Sequence, residues 1–479
     1  MKFVESLDLN SQTRTELWQH LFDFVEKYIT GVPYARVTPE LDVQKIRSLI
    51  QSINFENPLN PLEALDFANR GLWQYQVHTP HPRYFGLFNP ASTAMSIAAD
   101  TLVATFNPQL AAWSHSPFAA EVERYLIQNF GTQFGYTIDE IDGTFATGGA
   151  EANFTAILTA LKHKFPKINS CGIFGLKTQP ILYVSSESHH SIIRAARMSG
   201  LGSDAVRSVP VNESLQMNTE FLVKLITEDI SNGKTPFLIV ATAGTTNAGV
   251  VDPISSIAEI AAQYNLWFHV DAAWGGAAIF LPELRNVLQA IELADSITFD
   301  THKWLSVSMA AGLYLTRHKD ILRDTFNITT SYMPKDAKGL SVIDPYSHSI
   351  QWSRRFIGLK VFLSLAVAGW EGYIKAIRHQ VSMGNFLRQE LEKSSWKVVN
   401  KTVLPVICFV DQNSSNKNSD NYIKVLANNV IKSGEAWIST TYLNNILPVL
   451  RACITNYRTD TDDVLTLINI LEKVRLDLQ

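Results

Sequence analysis

The stretch Trp267–Trp304 begins W-F-H-V-D-A-A-W-G-G and ends A-D-S-I-T-F-D-T-H-K-W. Its first half is a short apolar run closed by Asp271 and followed by small residues. That is how a strand buried on both faces delivers one acid to its carboxyl end. The second half repeats the form: Ser296 to Phe299 reads as a strand, with Thr301-His302-Lys303 just beyond it. In an open α/β sheet an acid and a lysine at the mouths of neighbouring strands face one crevice. A pyridoxal phosphate site needs that pair, a lysine to form a Schiff base with the aldehyde and an acid to hold the ring nitrogen.

Working outward, 479 residues are too many for one core, so two or three subdomains are expected. With 46% apolar residues and a net charge of -4, the composition is that of an ordinary globular protein without a basic tract to gather phosphates, so no nucleic-acid partner is expected. No uncharged apolar run is long enough to span a bilayer, and no membrane partner is expected. Met1-Lys2-Phe3-Val4-Glu5 carries no apolar signal core. Cys171, Cys408 and Cys453 are far apart, lack metal-ligand spacing and read as buried reduced thiols, which gives a cytoplasmic expectation and no metal.

Residues 1 to about 80 are helix-prone, with Leu17, Leu21, Phe24, Val25 and Tyr28 on one stripe. They are too few for a core of their own, so they are expected to pack on something else, such as a second subunit. The aromatic loop His81-Pro82-Arg83-Tyr84-Phe85-Gly86-Leu87-Phe88 follows. In Ala146-Thr147-Gly148-Gly149-Ala150 small residues feed a helix whose first-turn N–H groups can bind an anion. A glycine turn alone is weak support, and G-x-G-x-x-G is absent. Ile181–Val184 and Phe237–Val240 read as buried strands, the first running into His189-His190 and the second into Thr245-Thr246. Asp252-Pro253 is expected to cap the next helix. Strand and helix alternate, which implies right-handed crossovers and a mostly parallel sheet. The polar stretch Thr330–Ser349 reads as a lid or an inert insertion. A C-terminal α+β unit, with a strand near Val403–Val410, ends in a helix over Asp462–Leu476.

With His189, Asp271 and Lys303 placed, H-V-D-A-A-W-G-G, D-S-I-T-F-D-T-H-K-W and the H-P-R-Y-F loop together resemble the pyridoxal-phosphate-dependent group II amino-acid decarboxylases, from His81 to about Arg458. That family includes aromatic-amino-acid, glutamate, histidine and diaminobutyrate decarboxylases. The resemblance implies a fold-type-I α/β architecture. It divides the chain into a helical segment (1–85) packed on a dimer partner, a large cofactor domain (86–362) and a small α+β domain (363–479). It further implies decarboxylation of an L-amino acid to its amine and CO2 by a homodimer.

Residue by residue, the resemblance makes Lys303 the Schiff-base lysine, Asp271 the pyridine partner and His189, rather than His190, the stacking imidazole. Ala273 would lie on the other ring face, and Gly149 and Ala150 would cradle the phosphate. Thr246 or Thr245 would stand near the ring hydroxyl, and His302 would help hold the cofactor or the substrate. Leu87, Phe88, Gln109 and Ala111 would line the substrate pocket, the last two from the partner subunit. Tyr346, with Tyr332 as fallback, would return a proton to the substrate carbon. Many relatives carry Asn-Pro where this chain has Asp300-Thr301, and an acid there would repel a phosphate. The same electron sink serves aldehyde-forming decarboxylases and aminotransferases, and a silent scaffold is a third reading.

Overall fold

The computed structural model describes residues 7–328, 340, 342–412 and 419–478. A seven-stranded sheet forms the centre, made of β1 (Asp142–Ala146), β2 (Pro180–Ser185), β3 (Val206–Val209), β4 (Thr235–Thr242), β5 (Trp267–Asp271), β6 (Ser296–Asp300) and β7 (Gly312–Thr316). Its strand order is β1-β7-β6-β5-β4-β2-β3. Every residue of β1, β2, β5, β6 and β7 is buried, because helices cover both faces.

The mostly parallel sheet expected from the sequence is present, and β5 falls on the residues read as a strand. The exception is β7, which runs antiparallel to both β1 and β6. Only residues 301–311 connect β6 to β7. A parallel return needs a crossover of a dozen residues or more, so this shorter link forces the reversal. Register then aligns Ala146, Gly312 and Asp300 across one end of the strands, with Asp271 and Thr242 one and two strands further along.

A second sheet, order β10-β11-β9-β8, contains β8 (Trp396–Val398), β9 (Val406–Asp411), β10 (Ser439–Leu443) and β11 (Leu447–Cys453), all antiparallel. The helix Gly358–Glu392 reaches from the large sheet to this one, interrupted at Gly369 (φ 63°). Val406, Cys408 and Val449 join the same apolar core as the large sheet, so the two layers are not independently packed.

The N-terminal helices Ser11–Gly31, Val43–Gln51 and Pro61–Gln74 contain no buried residue. Trp18 and Phe22 are 50% and 55% exposed on the first of them. Two sequence expectations change. Cys171 is exposed, while Cys408 and Cys453 are buried. Asp252 does not cap the helix Ile254–Tyr264, because its two oxygens accept from Met217 N and Thr242 N (2.8 Å each). No helix among the described residues is long and apolar enough to cross a membrane.

Candidate active site

The carboxyl ends of β5 and β6 carry the acids. Asp271 closes β5 and is 5% exposed. Its Oδ1 accepts from Ala273 N (3.2 Å) and its Oδ2 from Asn153 Nδ2 (2.8 Å). Asn153 lies one turn into the helix Gly149–Lys164 and also donates to Ser191 Oγ (2.9 Å). Its Oδ1 faces His269 Nε2 at 3.1 Å, and His269 Nδ1 stands 2.8 Å from Ser296 Oγ, which accepts from Trp267 Nε1 at 2.8 Å. Full burial pushes His269 down to about 4, so the ring is neutral and the chain of bonds has one consistent polarity ending on Asp271.

Lys303 follows β6 in the turn that leads away from the sheet. Its Nζ lies 2.9 Å from Asp300 Oδ2. Neither Asp300 oxygen accepts an aligned hydrogen bond, so this is a charge contact rather than a directed bond. His302 Nδ1 sits 2.9 Å from the Ala311 carbonyl, and burial lowers the His302 pKa, with Asp300 and Lys303 acting in opposite directions.

His189 reaches solvent, yet enough protein surrounds it for desolvation to lower its pKa, Asp271 opposing and Lys303 reinforcing. A ring both accessible and hemmed in is a crevice wall. Asn153 joins Asp271 to Ser191, whose N–H donates to His189 Nδ1 (3.2 Å), while Lys303 contacts Asp300, which lies against Gly149 beside Ala273, so the four residues gather at one end of the sheet.

At the start of the helix Gly149–Lys164, the N–H groups of Glu151 and Ala152 turn back to Gly148 O (3.1 Å each). Gly149 and Ala150 keep first-turn amides that no carbonyl of their helix takes. A Cβ on Gly149 would come 2.9 Å from Asp300 Oδ2 and 3.3 Å from Ala273 Cβ, so the backbone lies directly against the site. Thr245 is fully buried and its Oγ1 accepts from Val250 N (3.1 Å), whereas Thr246 is only half-buried.

These residues fit pyridoxal phosphate. They offer a primary amine, a buried oriented carboxylate, an imidazole wall and a helix amino end with unclaimed amides. Asp300 alone among them runs against an anionic ligand.

The expected pocket residues fall into two groups. Phe88 is buried and stacks on Trp274 (4.5 Å, 20°), which itself lies 5.5 Å from the Trp304 ring next to Lys303; Leu87 is half exposed. Gln109 Nε2 instead donates to Ser353 Oγ (3.2 Å), and Ala111 O accepts from Tyr346 N (3.1 Å). Tyr346 lines a cleft other than the one described so far. It packs against Trp352 (4.8 Å) in a cleft beside the edge strand β1, lined by Glu123, Asp142, Thr144, His348 and Arg354. The short helical turn Pro345–His348 holds it there. Tyr332 lies outside the described residues.

Sequence reasoning missed Asn153, His269 and Arg451. His269 shares a strand face with Asp271 by two-residue alternation, and Asn153 is one turn from Gly149, so period alone could have flagged both. Arg451 is 2% exposed, lies over the Phe88 ring at 5.1 Å and donates to Gly86 O at 2.8 Å. Its Nε and Nη2 have no partner among the described residues.

Comparison with known proteins places this geometry. The pyridoxal-dependent decarboxylase conserved domain matches residues 48–411. An aromatic-L-amino-acid decarboxylase of Bacillus atrophaeus is 29% identical over 97% of this chain and 96% of its own length. An acidic amino acid decarboxylase of Bos taurus is 32% identical over 70% of this chain and 64% of its own. The crystal structure of mouse CSAD superposes with a TM-score of 0.91 at 25% identity, covering 97% of this chain and 99% of that one. The chain belongs to the pyridoxal-phosphate-dependent amino-acid decarboxylases of group II.

Proposed function

We propose that Lys303 attaches the cofactor of this decarboxylase and that Asp271 holds its ring nitrogen. When bound, pyridoxal phosphate supplies the electron sink that lets an amino acid lose CO2 from Cα. Asp271 accepts the ring N–H in a charge-assisted hydrogen bond worth about 1.5–3 kcal/mol. Asn153 and Ala273 N hold that carboxylate in one orientation. His189 and Ala273 would hold the ring between them. Gly149 and Ala150 offer their amides to the phosphate, Thr246 its hydroxyl near the ring oxygen, and His302, kept neutral by burial, closes the floor beside Gly148. Tyr346, or Tyr332 as the fallback, would return a proton to Cα, and in a homodimer the Tyr346 that does so would come from the partner subunit.

Arg451, buried with two unclaimed donors against Phe88, is the cation we assign to a substrate carboxylate. The relatives named for aromatic and for acidic amino acids make those two classes the first to assay. The half-exposed apolar face of the N-terminal helices supports a homodimer, tested by sedimentation of the purified chain. Three unpaired thiols suit a reducing, cytoplasmic compartment.

One observation carries the reading: Asp271 ends β5, Lys303 follows the end of the adjacent parallel strand β6, and hydrogen bonds through Asn153 and Ser191 link Asp271 to His189. The test is reconstitution with pyridoxal phosphate and a mass-spectrometric screen of amino acids for CO2 and amine. Lys303→Ala should lack the visible absorption of the cofactor linkage, and Asp271→Ala should lose several orders of magnitude in turnover. An unaltered band in the first variant would exclude Lys303 as the link.

A further inference from the structure

Asp300 is an acid at the place where an anion is expected. It ends β6 with 1% exposure, and its oxygens lie against the backbone at Gly149 and at Gly312. A Cβ on Gly149 would meet Oδ2 at 2.9 Å, and one on Gly312 would meet Oδ1 at 2.6 Å and Gly148 Cα at 2.8 Å. The carboxylate therefore lies against the amino end of the helix whose first amides are unclaimed. Neither of its oxygens accepts a hydrogen bond, and the cation in contact is Lys303 Nζ at 2.9 Å.

Among the described residues no neighbouring charge replaces that cation. His302 Nε2 stands 4.0 Å away on the loop after β6, and burial favours its neutral form. His189, from the junction after β2, is likewise biased to neutral. Asp271 on β5 is an acid. Glu151 on the Gly149 helix is another, held by Thr147 N (2.9 Å) and Gln351 Nε2 (2.8 Å). Lys360 on the long helix is engaged by Asp100 Oδ2 (3.2 Å) and Met309 O (3.1 Å). Attaching the cofactor draws off Lys303 Nζ and brings a phosphate to Gly149 and Ala150. A buried carboxylate would then face a dianion with no donor of its own, and two anions sharing one site keep a proton between them.

We propose that Asp300 is a phosphate-recognition residue that works as a neutral carboxylic acid in the cofactor-loaded chain, donating its O–H to the phosphate. The inference rests on the pyridoxal phosphate reading above. One O–H bond forms on Asp300, the proton comes from solvent, and no other bond changes. Cofactor retention is thereby linked to pH: a complex that binds one more proton than its separated parts weakens as pH rises.

The experiment titrates apoprotein with pyridoxal phosphate and with pyridoxal between about pH 7 and 8.5, where the phosphate ester is mostly dianionic. Comparing the two aldehydes cancels everything except the phosphate. In the wild type their affinity ratio should fall by up to about tenfold per pH unit. In Asp300→Asn the ratio should be flat and higher than the wild type's at the alkaline end, the ratio cancelling whatever loss of the Lys303 contact does to both aldehydes alike. Calorimetry in buffers of different ionisation enthalpy should find the wild type taking up about one more proton with pyridoxal phosphate than with pyridoxal. That count needs no variant to fold. A pH-independent ratio in the wild type, or weaker binding of pyridoxal phosphate alone by Asp300→Asn, overturns the proposal. Failure of both aldehydes to give a visible linkage band would instead overturn the cofactor reading itself.

Discussion

Asn153 Nδ2 stands 2.8 Å from Asp271 Oδ2, and the same amide nitrogen also donates to Ser191. With both amide protons spent, Asn153 Oδ1 must accept from His269 Nε2, and the acid at the crevice inherits an orientation set deep in the sheet. Asn153→Ala should lower kcat about 10- to 100-fold, the usual range for removing an outer partner of a site ligand. Steady-state kinetics checks this, and the absorption of the bound cofactor should persist, because Lys303 is untouched.

His269 gives the apoprotein an acid limb. Its folded pKa of about 4 lies below the 6.5 of an exposed imidazole, so the unfolded chain binds the proton first. The stability involved is fully present above pH 6.5 and is lost as pH falls through 6.5 toward 4, amounting to roughly 3 kcal/mol. His81 and His348, also pushed down to about 4 by burial, steepen the same limb. Denaturant midpoints measured across this range should fall with acidity, and His269→Asn should flatten the slope by about one proton.

Glu123 and Arg354 form a buried two-pronged pair, with Nη1 to Oε1 at 3.0 Å. Glu123 Oε1 also accepts from Gly358 N (3.0 Å), fastening the start of the long helix. Removing the acid leaves a guanidinium 8% exposed and the N–H groups of Ile357 and Gly358 without that acceptor. Glu123→Ala should cost about 3–5 kcal/mol of unfolding free energy, read by denaturant titration. Adding Arg354→Ala should recover part of the loss.

Thiol chemistry should distinguish the cysteines. Burial pushes Cys408 up to about 12 and Cys453 up to about 11, while Cys171 is exposed. Mass spectrometry after native alkylation should find one modified residue, Cys171, and all three in denaturant. Rapid native labelling of Cys408 would contradict the packing between the two sheets.

Much of the architecture was readable because both-face burial writes itself as continuous apolar runs. Trp267–Asp271 and Ser296–Asp300 are such runs, and each ends in an acid that breaks the pattern where the sheet opens. β7 left a weaker trace: five residues opening on glycine, whose direction depends on the length of the link before it. Lys303, Asp271 and His189 announced themselves by chemistry at strand ends. Asn153 and Arg451 did not, since an amide mid-helix and an arginine mid-strand look like surface residues until three-dimensional neighbours are known. The cleft in which Tyr346 sits was not legible, because proximity in sequence to the polar loop says nothing about where its turn docks.

Because β7 runs backwards, the segment bearing Lys303 both departs from and returns to the same rim, leaving at Asp300 and rejoining at Gly312, which pair across the ladder. Midway, Ser308 N is tied to Ser96 Oγ (3.1 Å) and Met309 O to Lys360 Nζ (3.1 Å). The amine thus rides on a closed stirrup stitched at both shoulders and underneath. It can swing through its own side-chain torsions, but its Cα cannot wander without unzipping the middle of the sheet.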